Sequence, residues 1–273
     1  MTVTTARRSS RRPRSPAAGA SLLRRYALAA AAVIATAATA FAVQASEYTV
    51  SPMRMELDAD ARTTVVTLTN TGSDRIDFQL RATAWTQDAQ GKDVYADTSE
   101  VIFFPKIFSL EPTETRVVRV GVKSMPAALE QTYRLFVEKI PAANAAPPPP
   151  GAQVSVNFRF ALPIFVKPRS HQRSGDIASA ALEHGELVTI VRNTGTEFMR
   201  FEDGVSIVGR DLQGAQVYAR KLDSPYVLAG IAKRYAAAIP KDVCAQLATV
   251  EVSAKTEQFT LSKRLDVNRT NCE

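Results

Sequence analysis

Two histidines, His171 and His184, and two cysteines, Cys244 and Cys272, are all that this 273-residue chain offers to imidazole or thiol chemistry. A Ser-His-Asp site needs an imidazole to take the nucleophile's proton, yet both histidines sit in polar, linker-like stretches, "PRSHQRSGD" and "LEHGELV". No G-x-S-x-G, H-E-x-x-H, C-x-x-C or Gly-rich phosphate loop occurs. Glu183 and Glu186 are close enough to pair, but their surroundings read as a solvated turn. Both histidines are far in sequence from the cysteines, which argues against a metal site. The chain therefore reads as a binding or scaffold protein and not an enzyme, with no cofactor and no metal. Its chemistry must come from cations and from apolar side chains in regular alternation.

The formal charge is +7, but Arg7, Arg8, Arg11, Arg12, Arg14, Arg24 and Arg25 all precede Tyr26, and the chain beyond residue 45 is close to neutral. Nucleic-acid binding therefore does not follow from the high isoelectric point. Residues 26–45, "YALAAAAVIATAATAFAVQA", follow those arginines as an apolar run ending in small residues, the pattern of a secretory signal. Cleavage is expected after Ala45, with Ala42 as the alternative. An uncleaved anchor is the competing reading, but alanine is only weakly apolar. No other segment has the length to span a membrane, so the mature chain is expected to stay out of the bilayer. An even cysteine pair in an exported chain favours one disulfide, Cys244–Cys272.

Hydrophobic residues make up 45% and charged residues 22%, a balance that allows most of the chain to fold. After Ser46 the sequence reads as short strands. "TTVVTLTN" alternates and stops at the turn signal "NTGSD"; "DFQLRATAWTQ" places Phe78, Leu80, Ala82 and Ala84 on one face before "AQGKD". "VIFFPKIFSLEP", "TRVVRVGV" and "TYRLFVEKIP" continue the pattern. Seven strands in roughly 120 residues with no amphipathic helix suggest an antiparallel sandwich of immunoglobulin type. Beyond the polar linker "KPRSHQRSGD", the segment "ELVTIVRNTGTEF" echoes "TVVTLTNTGSDRI": an apolar strand, Asn-Thr-Gly, an acid, a new strand. Two sandwiches in tandem are expected. "GVSIVGRD" and "LATVEVSAK" supply strands, while "IAKRYAAAI" reads equally as a helical turn or an edge strand.

One strand stands apart. In "QVSVNFRFALPIFVKP", residues 153–168, every second position is apolar: Val154, Val156, Phe158, Phe160, Leu162 and Ile164. The preceding "AAPPPPG" excludes helix and central strand. Such a face is either core of its own sandwich or offered to another chain.

The segments "SPMRMELD", "TLTNTGSDRIDFQLRATAW", "FFPKIFSLEPTETRVVRV", "TYRLFVEKIP" and "FRFALPIFVKP" together resemble the PapD-like periplasmic chaperones of the chaperone–usher pathway, in the same order and across most of residues 47–168. "YRLFVEKIP" and "LPIFV" resemble the archaic branch that serves spore-coat-U and Csu-type pilins. The resemblance implies an all-β protein of two immunoglobulin-like domains in a boomerang, with a cleft between them. The implied division is a signal peptide at 1–45, a first domain at 46–167 and a second at 168–273. It implies a periplasmic chaperone that binds pilin subunits by donor-strand complementation and delivers them to an outer-membrane usher. Val154, Val156, Phe158, Phe160 and Leu162 would be the donor-strand residues. A pilin short of one strand exposes an unpaired edge and an open core, and an alternating strand answers both.

Family members anchor the subunit's terminal carboxylate on two cations. Arg54 matches the first. The second, a lysine, falls at Pro163 here, so that cation is missing. Arg134 is the expected replacement, with Arg159 and Lys167 as further candidates, since a guanidinium offers a carboxylate a two-pronged fork. Glu130 and Lys167 match positions that bridge the two domains in the family. The rival readings are a secreted two-domain adhesin that keeps its apolar strand buried, and a carbohydrate-binding sandwich. The latter class displays aromatics, whereas the single Trp85 lies in an alternating strand that suits core packing.

Overall fold

The computed structural model describes residues 47–88, 90–123, 127–141, 159–223 and 226–272, apart from the side chain of Arg269. The expected signal sequence and the donor residues Val154, Val156 and Phe158 lie outside the described residues.

Among the described residues, ten strands form the first half: β1 (Tyr48–Ser51), β2 (Met55–Leu57), β3 (Thr63–Asn70), β4 (Ile76–Gln87), β5 (Asp93–Asp97), β6 (Val101–Phe104), β7 (Ile107–Leu110), β8 (Thr115–Val122), β9 (Gln131–Ile140) and β10 (Arg159–Val166). They build one sheet of order β1-β3-β8-β6 and a second of order β2-β10-β9-β4-β5, with β7 also on β4. The two sheets close on a common core that includes Val66, Leu68, Phe78, Leu80, Val118, Leu135, Val137, Leu162 and Ile164.

The sequence "VIFFPKIFSL" looks like one strand but is two. Pro105 has no N–H to give a ladder, and the chain changes sheets there: β6 pairs with β8 in one sheet, and β7 pairs with β4 in the other. The first strand divides in the same way around Pro52, with β1 on β3 and β2 beside β10.

The second half contains β11 (Gly175–Glu183), β12 (Glu186–Asn193), β13 (Val205–Arg210), β14 (Gln216–Leu222), β15 (Ala232–Ala238), β16 (Thr249–Lys255) and β17 (Thr260–Asp266). Sheets of order β11-β12-β15 and β14-β13-β16-β17 enclose a second core around Val191, Val205, Ile207, Val250 and Val252. The ambiguous "IAKRYAAAI" is an edge strand, β15, whose backbone pairs with the open edge of β12 from Ala232 to Ala238. A single helical turn, α1 (Lys241–Cys244), brings Cys244 to the expected disulfide with Cys272, closing a sequence separation of 28 residues.

The Asn-Thr-Gly echo has a structural counterpart. Asn70 is fully buried; its Nδ2 donates to the carbonyls of Asp74 and Leu110 at 2.7 and 3.1 Å, and its Oδ1 accepts the Gly72 N–H at 2.9 Å. Asn193 repeats this with the carbonyls of Glu197 and Val227 at 2.7 and 3.0 Å and the Gly195 N–H at 2.9 Å. Each buried amide satisfies the backbone of its own turn and pins it to a neighbouring segment, so an asparagine at this corner satisfies donors and acceptors that would otherwise be buried unpaired.

Candidate functional site: an open strand edge and an interdomain cleft

Strand β10 carries two different faces. Its residues Leu162, Ile164 and Val166 point into the first core, fully or almost fully buried, and Phe160 packs half-buried against Tyr48 with ring centres 5.4 Å apart. Of the expected donor residues, Leu162 is therefore core of its own sandwich within the described structure, and Phe160 sits at the rim of that core. The sequence alternation continues outward from Phe160 to Phe158, Val156 and Val154.

The backbone of β10 is just as unequal. It pairs with β9 along its whole length, Arg159 to Val166. On its other side β2 pairs with only Ile164–Val166. Among the described residues, no strand covers Arg159–Pro163 on that side. An uncovered edge of this kind presents N–H and C=O groups to any incoming strand. Pro163 stands where the covered and open parts meet, a place where a missing N–H is tolerated.

The opposite, outward face of β10 serves the contact between the sandwiches. Phe165 is buried and stacks on Phe198 at 4.1 Å, and Trp85, Tyr226, Leu228 and Ile231 complete an aromatic and aliphatic cluster. Gln87 fastens its rim: its Nε2 donates to the Tyr226 carbonyl at 3.1 Å and its Oε1 accepts the Leu228 N–H at 3.0 Å. Trp85 is thus buried as expected, but on the face turned from its own sandwich core.

Arg134 lies across the ladder from Pro163, nine-tenths buried. Its guanidinium carbon sits 3.7 Å from the centre of the Trp85 ring, Nη1 donates to the Ala161 carbonyl at 2.9 Å, and Asp93 is 3.8 Å from Nη2. The expected second anchor is thus occupied within the fold. Arg159 pairs with Glu138 at 3.4 Å and lies over Phe136. Arg54, immediately before β2, is partly exposed; Nε meets Glu56 Oε1 at 3.1 Å and the guanidinium lies 5.8 Å from the Phe198 ring centre. Glu56 also meets Lys167 Nζ at 3.5 Å, so the partner observed for Lys167 belongs to its own sandwich.

Glu130, by contrast, reaches across. Its N–H donates to the Thr196 carbonyl at 2.9 Å, and its Oε2 accepts the Phe198 N–H at 2.9 Å. Burial pushes its carboxyl up to about 8; the Phe198 N–H opposes this, while Glu197 and Glu56 add to it. Arg173 acts in the opposite sense. Glu197, 4% exposed, accepts from Arg173 Nε at 2.6 Å and also meets His171 Nδ1. Burial alone would raise Glu197; the hydrogen bonds from His171 and Arg173 outweigh it and hold the carboxyl below its usual range.

This arrangement gives a pH dependence of definite sign. A carboxyl raised in the folded state keeps its proton while the unfolded chain loses one, so its contribution falls as pH rises from the ordinary glutamate range to about 8. The melting temperature of wild type is expected to fall over that window relative to Glu130→Gln, whose amide oxygen still accepts the Phe198 N–H. Parallel curves for the two proteins would refute the assignment.

The cleft beside this contact is lined by Arg54 and Glu56 from the first sandwich and by Arg173, Phe198, Arg200 and the turn Thr256–Phe259 from the second. Sequence reasoning singled out Arg54 but missed Phe198, Arg200 and the 256–259 turn. Their types are unremarkable, and only the approach of the two sandwiches gives them a common wall.

Comparison with known proteins agrees with this geometry. Residues 47–172 match the family of pili and flagellar-assembly chaperones, PapD N-terminal domain. Over these residues the chain is similar to the PapD-like chaperones. Among solved structures it is similar to the CsuC–CsuE chaperone–tip adhesion subunit pre-assembly complex of archaic Csu pili from Acinetobacter baumannii. There the identity is 20% and the TM-score 0.57, over 79% of this chain and 98% of the matched one. The class 5 fimbriae chaperone CfaA matches at 13% identity and TM-score 0.51, over 80% and 98%. The Salmonella enterica SafA pilin–SafB chaperone complex matches at 13% and 0.50, over 82% and 99%. No curated protein matches the chain. At these identities the structural likeness establishes the PapD-like fold of two β-sandwiches.

Proposed function

We propose that this protein is a periplasmic chaperone that captures pilin subunits by donor-strand complementation and hands them to an outer-membrane usher. The observation that carries this reading is the open side of β10: Arg159–Pro163 have backbone groups uncovered on one side, on the strand whose apolar alternation runs back to Val154. A subunit lacking a strand would pair its edge there and take Val154, Val156, Phe158 and Phe160 into its open core. Leu162, already in this chain's own core, marks where donation stops. The names of the similar structures, a chaperone with a tip subunit and a chaperone with a pilin, support the same reading. Residues 1–45 would direct export and be removed. Residues 46–167 would form the donor domain, and 168–273 the domain that Glu130 and the Phe165 cluster hold against it.

Arg54 is the proposed anchor for the subunit's terminal carboxylate. It stands at the cleft, partly exposed, and its exchangeable ion pair with Glu56 is worth about 0–1 kcal/mol. Arg134 takes part only if its fork leaves the Ala161 carbonyl. Arg54→Ala is expected to keep the melting temperature within about 2 °C of wild type and to abolish co-purification of a co-expressed pilin subunit. Undiminished co-purification would remove Arg54 from the site.

A further inference from the structure

The uncovered side of β10 is not equally open along its length. Neighbouring residues of a strand turn their backbone groups to opposite sides. Lys167, directly after β10, donates its N–H to the Leu57 carbonyl of β2 at 2.8 Å. Counting back by twos, Pro163, Ala161 and Arg159 face the side of β2, and the even-numbered residues face β9. The neighbouring strands agree. Leu80 of β4 donates to the Lys106 carbonyl at 2.8 Å, away from β9, so Arg81 faces Phe136 and Phe136 faces away from Ala161. Two groups on the edge are out of use. Pro163 has no N–H, and the Ala161 carbonyl already accepts Arg134 Nη1 at 2.9 Å. That guanidinium is nine-tenths buried on the Trp85 ring, which fixes it in place. A strand running parallel to β10, as β2 does, would bond around Leu162 through the Ala161 carbonyl and the residue-163 N–H, and finds neither free. An antiparallel strand would bond Ala161 and Pro163 in turn, and each lacks one group. One step earlier, the Arg159 carbonyl and the Ala161 N–H flank Phe160, and among the described residues no strand covers them on this side.

We infer, on the chaperone reading above, that Pro163 and Arg134 form a stop for strand addition: the subunit's strand pairs with β10 as far as Phe160, and Leu162 stays unpaired on that side, between the subunit and β2. The side chains change ownership at the same place, since Phe160 is half-buried at the rim and Leu162 is fully buried in this chain's own core. Backbone and side chains thus limit donation independently. Alternation by itself would permit a slip of two residues without turning the apolar face away, and a stop in the backbone opposes that slip. A ladder that ends early also holds its guest by fewer bonds, which suits a protein that must later release it. Pro163 and Arg134 act as positioning residues here, and Arg134 needs no contact with a charge on the subunit.

The test uses the full chain with a co-expressed pilin subunit as probe, and follows amide exchange residue by residue. In wild type the Ala161 amide should exchange quickly in the free chain and about tenfold or more slowly in the complex. Pro163→Ala supplies the missing N–H. Its new amide should become protected in the complex, and release of the subunit should slow about threefold or more, the scale of one hydrogen bond. Arg134→Met keeps an apolar stem on Trp85 and frees the Ala161 carbonyl, so it should slow release by a similar factor. Arg134 is buried, so a thermal melt accompanies that variant; should it unfold, Pro163→Ala decides alone, because the edge at residue 163 has no strand to lose. If the residue-163 amide of Pro163→Ala exchanges equally fast free and bound, or release keeps the wild-type rate, the stop is overturned while the chaperone reading stands. If wild type retains no subunit, or retains it with no protection of the Ala161 amide, strand capture at this edge fails and the stop falls with it.

Discussion

Leu162→Ala is expected to destabilise the isolated protein by about 2–5 kcal/mol, whereas Phe158→Asp, four residues earlier on the same alternating face, should leave its thermal melt unchanged and abolish subunit binding. The contrast follows from where the inward face of β10 changes ownership. Leu162 is fully buried among the first core's residues, so removing its side chain opens a cavity that the packed sheets cannot refill. Phe160 is only half-buried, against Tyr48 at the rim of that core. Beyond it, Phe158 continues the alternation. On the chaperone reading Phe158 is buried by the subunit, where an unpaired carboxylate would cost several kcal/mol. Circular dichroism melts and co-purification with a pilin subunit separate the two effects. If Phe158→Asp unfolds the free protein, the whole alternating stretch is ordinary core and donor-strand capture by these residues is refuted.

Phe165→Ala is expected to cost about 3–5 kcal/mol and to act on a different structure, the joint between the sandwiches. Phe165 is 1% exposed, stacks on Phe198, and contacts Trp85 and Tyr226 at ring-centre distances of 5.8 and 5.5 Å. Few other apolar residues share this cluster: Trp85, Leu228, Phe198, Tyr226 and Ile231. Removing the central ring leaves Gln87 and Glu130 to hold the sandwiches by polar contacts that water readily replaces. Calorimetry should show the first unfolding transition lowered by several degrees and separated from the second. An unchanged single transition would show that the aromatic cluster does not couple the two sandwiches.

Much of this architecture was legible before any coordinates. Period-two alternation marked β3, β4, β8 and β10, because a strand packed on one face must alternate. The repeated Asn-Thr-Gly announced two similar corners, and the two asparagines make the same hydrogen bonds. The cysteine pair followed from an even number in a chain expected to be exported. Other features depended on contacts that no local pattern encodes. "VIFFPKIFSL" is uninterrupted as hydropathy, and whether Pro105 ends a strand or passes it to the other sheet depends on which neighbours need a partner. Arg134 was a reasonable anchor by residue type, but a guanidinium near the end of a strand is equally suited to stacking on Trp85, and only the fold brings that ring within 3.7 Å. By itself the sequence determined the all-β class and the alternating strand, since both are written in residue type and spacing; Arg54 was singled out only through the family resemblance. Only the tertiary structure decided that β10 is open on one side between Arg159 and Pro163, and that Arg54, Phe198 and the 256–259 turn line one cleft. Both are relations between segments far apart in the chain, set by how two packed sheets and two sandwiches meet.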